Sequence, residues 1–288
     1  MSGCAQRTDQ APDAVPAPPR RAVVEQIMGM PVSVHVRGDG AREPDVEAAI
    51  QAGLAGLREA DAIFSTWRSD SAIERLRRGE LSVSQCPPEV AHVIQLCEAA
   101  RERTAGWFEY LLDDGSGTRL IEPTGLVKGW AVERALTAIV AALARRGQAG
   151  LDVAVNAGGD VAVHSAPVAG RSWLAGVEDP ADRSRILTTV ALTTGGIATS
   201  GSAARGAHIV NPFTGERVAR AGSVTVYGPS LMWADVFATA AFAYGNGCLE
   251  WLADRPGFGP EGYGAVIVNG NGSIHRLAPS CTSLPRVL

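Results

Sequence analysis

Residues 231–245, LMWADVFATAAFAYG, restrict the possible folds of this chain more tightly than any other stretch. At helical spacing the segment is apolar on nearly every side, so as a helix it must be packed by other elements all round. Within it Asp235 and Thr239 stand four residues apart, on the same helix face. An unpaired carboxylate in apolar surroundings is costly, so a buried Asp235 requires a partner. A hard cation could take both the carboxylate and the hydroxyl. A basic side chain would serve the acid alone, and so would water if the helix lay near the surface. The segment by itself favours the salt bridge or the solvated acid over the cation.

At 288 residues the chain can form one large domain or two small ones around a substantial core. A hydrophobic share of 46% against 19% charged residues is that of an ordinary globular protein. The net charge is −4, and the arginine doublets at 20–21, 77–78 and 145–146 are scattered. This argues against nucleic-acid binding, which depends on clustered basic side chains. Cys4, Cys86, Cys97, Cys248 and Cys281 are far apart and form no C-x-x-C pair, so reduced thiols are expected rather than a disulfide framework or a zinc site. No run reaches the roughly 18 apolar residues that span a bilayer. No apolar signal region opens the chain, and a cytoplasmic location is expected as the sequence stands. MSGC at residues 1–4 resembles the end of a lipoprotein cleavage site, so an exported lipoprotein is the alternative if the true start lies upstream.

Residues 1–20, with Pro12, Pro16, Pro18 and Pro19, read as a disordered leader, and one folded domain is expected over 21–288. VEQIMGMPVSVHV alternates through Val32, Val34 and Val36 and suggests a strand. A helix is expected from Pro44 to Phe64, with Val46, Ile50, Leu54 and Leu57 on one stripe. Ser71, with Glu74 three residues on, caps a short helix, and another helix carries Val90, Val93, Ile94 and Cys97. GWAVERALTAIVAALARRG is strongly helical; beyond it LDVAV, WLAGV, LTTVAL, HIV and SVTVY read as strands, and GAVIVNG with SIHRL as a closing hairpin. Helices and strands mixed without βαβ alternation give an α+β fold with mostly antiparallel sheet.

Four patches carry possible chemistry. In PTGLVKGWA, Lys128 sits at the opening of the long helix, where a cation opposes the macrodipole; a phosphate shared with free backbone N–H groups would relieve that conflict. In VNAGGDVAV the paired glycines permit close approach of a ligand, although a tight turn between strands explains them better. GGIATSGSAARGAHIVNPFTGE gathers Thr199, Ser200 and several glycines ahead of His208, which suits a loop around a polar ligand with a histidine acid or base. FSTWRSDSAI offers Trp67 beside Arg68, a pair able to stack on a flat ring.

In chain order, MGMPVSV, FSTWRSDSAI, GWFE, GLVKGWAVERA, VNAGGD, TSGSAARGAHIVNPFTG and SVTVYGPSLMWADVFATAAFAYG resemble the ApbE family of FAD:protein FMN transferases, over residues 24 to 247. The resemblance implies a T-fold-like architecture. It also implies binding of FAD and Mg²⁺, and transfer of FMN to a Thr or Ser hydroxyl of an acceptor protein with release of AMP. By motif, Asp235, Thr239 and the Gly125 carbonyl match metal ligands. Met28, Trp67, Phe108, Glu109, Glu122, Lys128 and Ile209 match positions that contact FAD, and His208 matches a catalytic histidine. Met30, Trp67, Glu109, Glu122 and Asn211 depart from the residues usual in the family, whereas the Asp235 and Thr239 pair is intact. The competing readings are an FAD pyrophosphatase, with water in place of the acceptor, and a non-catalytic FAD-binding protein.

Overall fold

In the computed structural model, which describes residues 17–113, 117–167, 170–202, 209–258 and 262–278, the alternating run near the start is two strands rather than one. β1 (Arg20–Ile27) and β2 (Met30–Arg37) pair antiparallel, and Val32, Val34 and Val36 are buried. The turn falls on Met28 and Gly29, with φ of 55° and 70°, the left-handed pair that a two-residue hairpin uses. Of the expected leader, residues 1–16 lie outside the described residues.

α1 (Pro44–Phe64) has the expected bounds and buries the expected stripe. In α2 (Ala72–Arg77) the Ser71 hydroxyl accepts the Glu74 N–H at 3.1 Å, as the spacing indicated. α3 (Pro88–Arg103) is followed by two short strands, β3 (Leu111–Asp113) and β4 (Arg119–Ile121), and then by α4 (Thr124–Arg145). The strand-rich half comprises β5 (Asp152–Ala157), β6 (Asp160–His164), β7 (Trp173–Asp179), β8 (Asp182–Leu192), β9 (Thr194–Gly201) and β10 (Gly222–Gly228). α5 (Leu231–Tyr244) and α6 (Cys248–Ala253) precede the closing hairpin of β11 (Gly264–Asn269) and β12 (Ile274–Leu277).

Eight strands form one sheet in the order β1-β2-β5-β6-β9-β10-β11-β12, with every neighbouring pair antiparallel. The fold is the expected α+β type. α4 and α5 cover one face, and α1 packs on α4. β7 and β8 form a separate ribbon on the opposite face, where Val177, Val190 and Leu192 meet Val163, Ile197 and Val266. Gly158 and Gly159, with φ of 62° and 105°, form the tight turn between β5 and β6 that the sequence favoured.

One expectation is corrected. The stretch read as a ligand-wrapping loop begins as β9, a central strand. Gly196 is there because α5 comes very close: a Cβ on it would lie 2.5 Å from Leu231 Cβ and 2.7 Å from its Cα. On the other side, a Cβ on Gly129 of α4 would lie 2.7 Å from Met232 Cα. The first turn of α5 is therefore seated between two glycines. Asp235 is 3% exposed, which removes the possibility of a helix with its acid in water.

Far from that helix, Asp152 at the start of β5 is fully buried and accepts from Arg37 Nε at 2.9 Å, Arg171 Nε at 3.0 Å and the Ala166 N–H at 2.9 Å. Burial alone would raise its pKa, but these three donors outweigh burial and hold the carboxyl below its ordinary value of 3.8. The stabilisation is complete above that value and is lost as pH falls through the lowered folded pKa. Asp152→Ala is expected to cost about 2 kcal/mol at neutral pH. Urea unfolding should give a constant difference from wild type between about pH 5 and 8, shrinking below about pH 4.

Candidate active site

α5 has no acid in its own first turn. The Ser230 hydroxyl accepts the Trp233 N–H at 3.3 Å, and Glu133 reaches across from α4 to accept the Leu231 N–H. A carboxylate there complements the positive end of the helix. Burial pushes the Glu133 carboxyl above its ordinary value, against the lowering effect of Ser230 and the Leu231 and Met232 amides. These contacts fix the first turn and so the position of Asp235 just beyond it.

Among the described residues, Asp235 faces a basic side chain. The Lys128 ammonium pairs with Asp160 Oδ2 and stands 3.5 Å from Asp235 Oδ2. Asp160, at the start of β6, is 2% exposed, and its Oδ1 accepts the Thr199 N–H at 3.1 Å. One helical turn beyond Asp235, Thr239 Oγ1 lies 3.1 Å from Ser200 Oγ of β9. Two strands and two helices thus converge on one cluster of oxygens around one ammonium.

The placement of Lys128 also corrects the sequence reading. α4 begins at Thr124, so Lys128 lies inside the helix rather than ahead of it. The N–H groups of Thr124, Leu126 and Val127 already have acceptors in the Glu122 carboxylate and the Pro123 carbonyl. What Lys128 can offer a phosphate is therefore its ammonium, not a share in a ring of free helix amides.

Phe108, Glu109, Glu122, Gly125, Lys128, Ile209, Asp235 and Thr239 all line one cavity of about 310 Å³. Thr199 and Ser200, from the stretch expected to meet a polar ligand, line it too, and so does Asp160, to which the sequence reading gave no site role. Met28 is instead partly buried against the main core beside the β1–β2 turn, and Trp67 is 96% exposed; neither lines the cavity. His208 lies outside the described residues; Ile209, next in the chain, is on the cavity wall. The Glu109 carboxylate accepts the Tyr110 and Leu111 N–H groups and pairs with Arg101 and Arg119 at 3.3 and 3.0 Å. Glu122 pairs with Arg77 at 2.5 Å and accepts the Thr124 hydroxyl at 2.5 Å. Both glutamates shape the wall with carboxylates already engaged.

Among the described residues no group of three or more His, Cys, Asp or Glu gathers as a metal cluster. Oxygen-bearing side chains line the cavity, among them the Asp235 carboxylate and the Thr239 and Ser200 hydroxyls, and Gly125 in the first turn of α4 lines it as well. That chemistry fits Mg²⁺, which prefers oxygen and completes its shell with water and substrate phosphates, so few protein groups are needed.

The fold and the cavity describe an antiparallel α+β protein with an oxygen-rich, ammonium-bearing pocket suited to a cation and phosphate groups. A model of the ApbE family matches residues 28–114 and 111–259, and the chain belongs to that family. Among solved structures, the ApbE protein of Thermotoga maritima is similar at 21% identity and a TM-score of 0.74, with 90% of this chain and 97% of that one covered. The Pseudomonas stutzeri flavinyl transferase ApbE, in its apo form, gives 19%, 0.74, 96% and 100% in the same order. The flavin transferase ApbE from Vibrio cholerae gives 18%, 0.67, 92% and 98%. Comparison with curated protein sequences finds no match. No helix among the described residues is long and apolar enough to cross a membrane.

Proposed function

We propose that this chain transfers FMN from FAD to a Thr or Ser hydroxyl of an acceptor flavoprotein, in a Mg²⁺-dependent reaction that forms a phosphoester and releases AMP. The observation that carries this reading is the convergence of Lys128 of α4 with Asp235 and Thr239 of α5, distant from it in sequence, on one oxygen-rich cavity. Family membership supports it, as do the names of the Vibrio and Pseudomonas neighbours.

Asp235, Thr239 and the Gly125 carbonyl are the residues that would hold Mg²⁺, which neutralises pyrophosphate charge and stabilises the departing phosphate when bound. Lys128 holds phosphate oxygens. Phe108 and Ile209 offer apolar surface to the rest of the dinucleotide. His208, assigned by the family resemblance, accepts the proton of the attacking hydroxyl. A new P–O bond forms at the riboflavin-side phosphorus, the pyrophosphate P–O bond breaks, and AMP leaves with the electron pair.

Incubation with FAD, Mg²⁺ and a candidate acceptor should add one FMN to the acceptor by mass spectrometry and release an equal amount of AMP. Equally fast formation of FMN and AMP without acceptor would assign the chain as an FAD pyrophosphatase. FAD binding with no turnover, the same in wild type and His208→Ala, would assign a binding protein.

A further inference from the structure

The Lys128 ammonium stands against two buried carboxylates of the cavity, in the counter-charge role that a divalent ion would also fill. It touches Asp160 and stands 3.5 Å from Asp235, and all three side chains face the same cavity. Asp160 and Asp235 are almost wholly buried, and burying either charge without a counter-charge would be costly. Lys128 relieves that cost through Asp160 and, at longer range, Asp235. The same ammonium opposes entry of a second cation beside Asp235, because like charges a few ångströms apart repel strongly inside a protein.

We propose that Lys128 is a resident placeholder cation that keeps the Mg²⁺ position weak until a pyrophosphate arrives to receive it, with Asp160 as the residue that positions the ammonium. This deepens the functional reading above and rests on it for the identity of the phosphate ligand. Among the described residues, the two carboxylates and the ammonium together carry one negative charge. A divalent ion alone would turn that into one positive charge. A pyrophosphate bearing two negative charges, bound together with the ion, restores the starting balance. Metal and dinucleotide therefore bind with positive coupling, each raising the affinity of the site for the other. Metal held without substrate is disfavoured by the same accounting, and the site is loaded in one coupled event.

The test is a calorimetric titration of Mg²⁺ alone into the metal-free protein, with no flavin present. Lys128→Met should bind Mg²⁺ at least about ten-fold more tightly than wild type. Its unfolding temperature should also rise more on Mg²⁺ addition, because the ion now supplies the missing counter-charge. Lys128→Gln, whose amide can still donate to a carboxylate, covers the case in which the methionine variant does not fold, and should also bind more tightly. Lys128→Arg retains the charge and should bind Mg²⁺ as weakly as wild type. Equal or weaker Mg²⁺ binding in both neutral variants overturns the proposal, and so does tightening in the arginine variant. None of these readouts involves turnover. Tightened binding in the variants beside no FMN transfer by the wild-type protein would leave the placeholder standing and remove the transferase reading; wild-type transfer without tightening in the variants would do the reverse.

Discussion

Asp235→Asn is expected to slow AMP release from FAD by at least about a thousand-fold at saturating FAD, equivalent to about 4 kcal/mol of transition-state stabilisation. The substitution keeps the shape of the side chain and removes its charge, so it weakens the proposed metal position without opening a cavity. Lys128 retains its pairing with Asp160, and α5 retains its caps from Ser230 and Glu133, so the fold should survive. Thermal unfolding of the variant should accordingly stay close to wild type while its turnover collapses. Chelation of wild type should reproduce the collapse, with activity returning on Mg²⁺ addition. If the variant and the chelated protein both turn over FAD at the wild-type rate, Asp235 is a structural partner of Lys128 and nothing more.

Gly129→Ala should act on the same site by a mechanical route. The added methyl would meet Met232 Cα at 2.7 Å and its amide nitrogen at 3.1 Å, and backbone cannot give way as a flexible side chain can. α4 and α5 must separate by a few tenths of an ångström or more, at a cost of about 2–3 kcal/mol. For a chain of this size that lowers the unfolding temperature by between about 4 and 12 °C. The displacement carries Asp235 and Thr239 away from Lys128 and Gly125, so activity should fall more than ten-fold even where the variant is fully folded. An alanine variant with unchanged Tm and activity would mean that this close crossing does not set the site.

The fold was legible in the sequence wherever the determining signals were local. α1 carries its proline at the start and its stripe of Val46, Ile50, Leu54 and Leu57, and Ser71 with Glu74 marks α2. The hairpin at Met28 and Gly29 was harder to see, because the alternation on either side of the turn reads as one continuous strand. β9 was misread because Gly195 and Gly196 look like loop composition until the approach of the Gly228 carbonyl to the first and of α5 to the second is known. The greasy helix announced that Asp235 needed a partner. Its identity could not be read from spacing, since Lys128, Asp160 and Asp235 meet only through the packing of α4, β6 and α5. Asp160 went without a role for that reason: its GGD context explains a turn, and the charge pairing depends on tertiary structure.

The order of the sheet has a consequence for how the molecule is made. β6 and β9 are partners at its centre, yet the whole β7–β8 ribbon separates them along the chain. That seam requires closure of a long loop, and the ribbon shortens the effective loop if it zips first from its own local contacts. The polypeptide must also have been synthesised through α5 before Asp235 can meet Lys128 and Asp160. The pocket therefore cannot be completed until α5 has been added to a chain that already carries α4, β6 and β9.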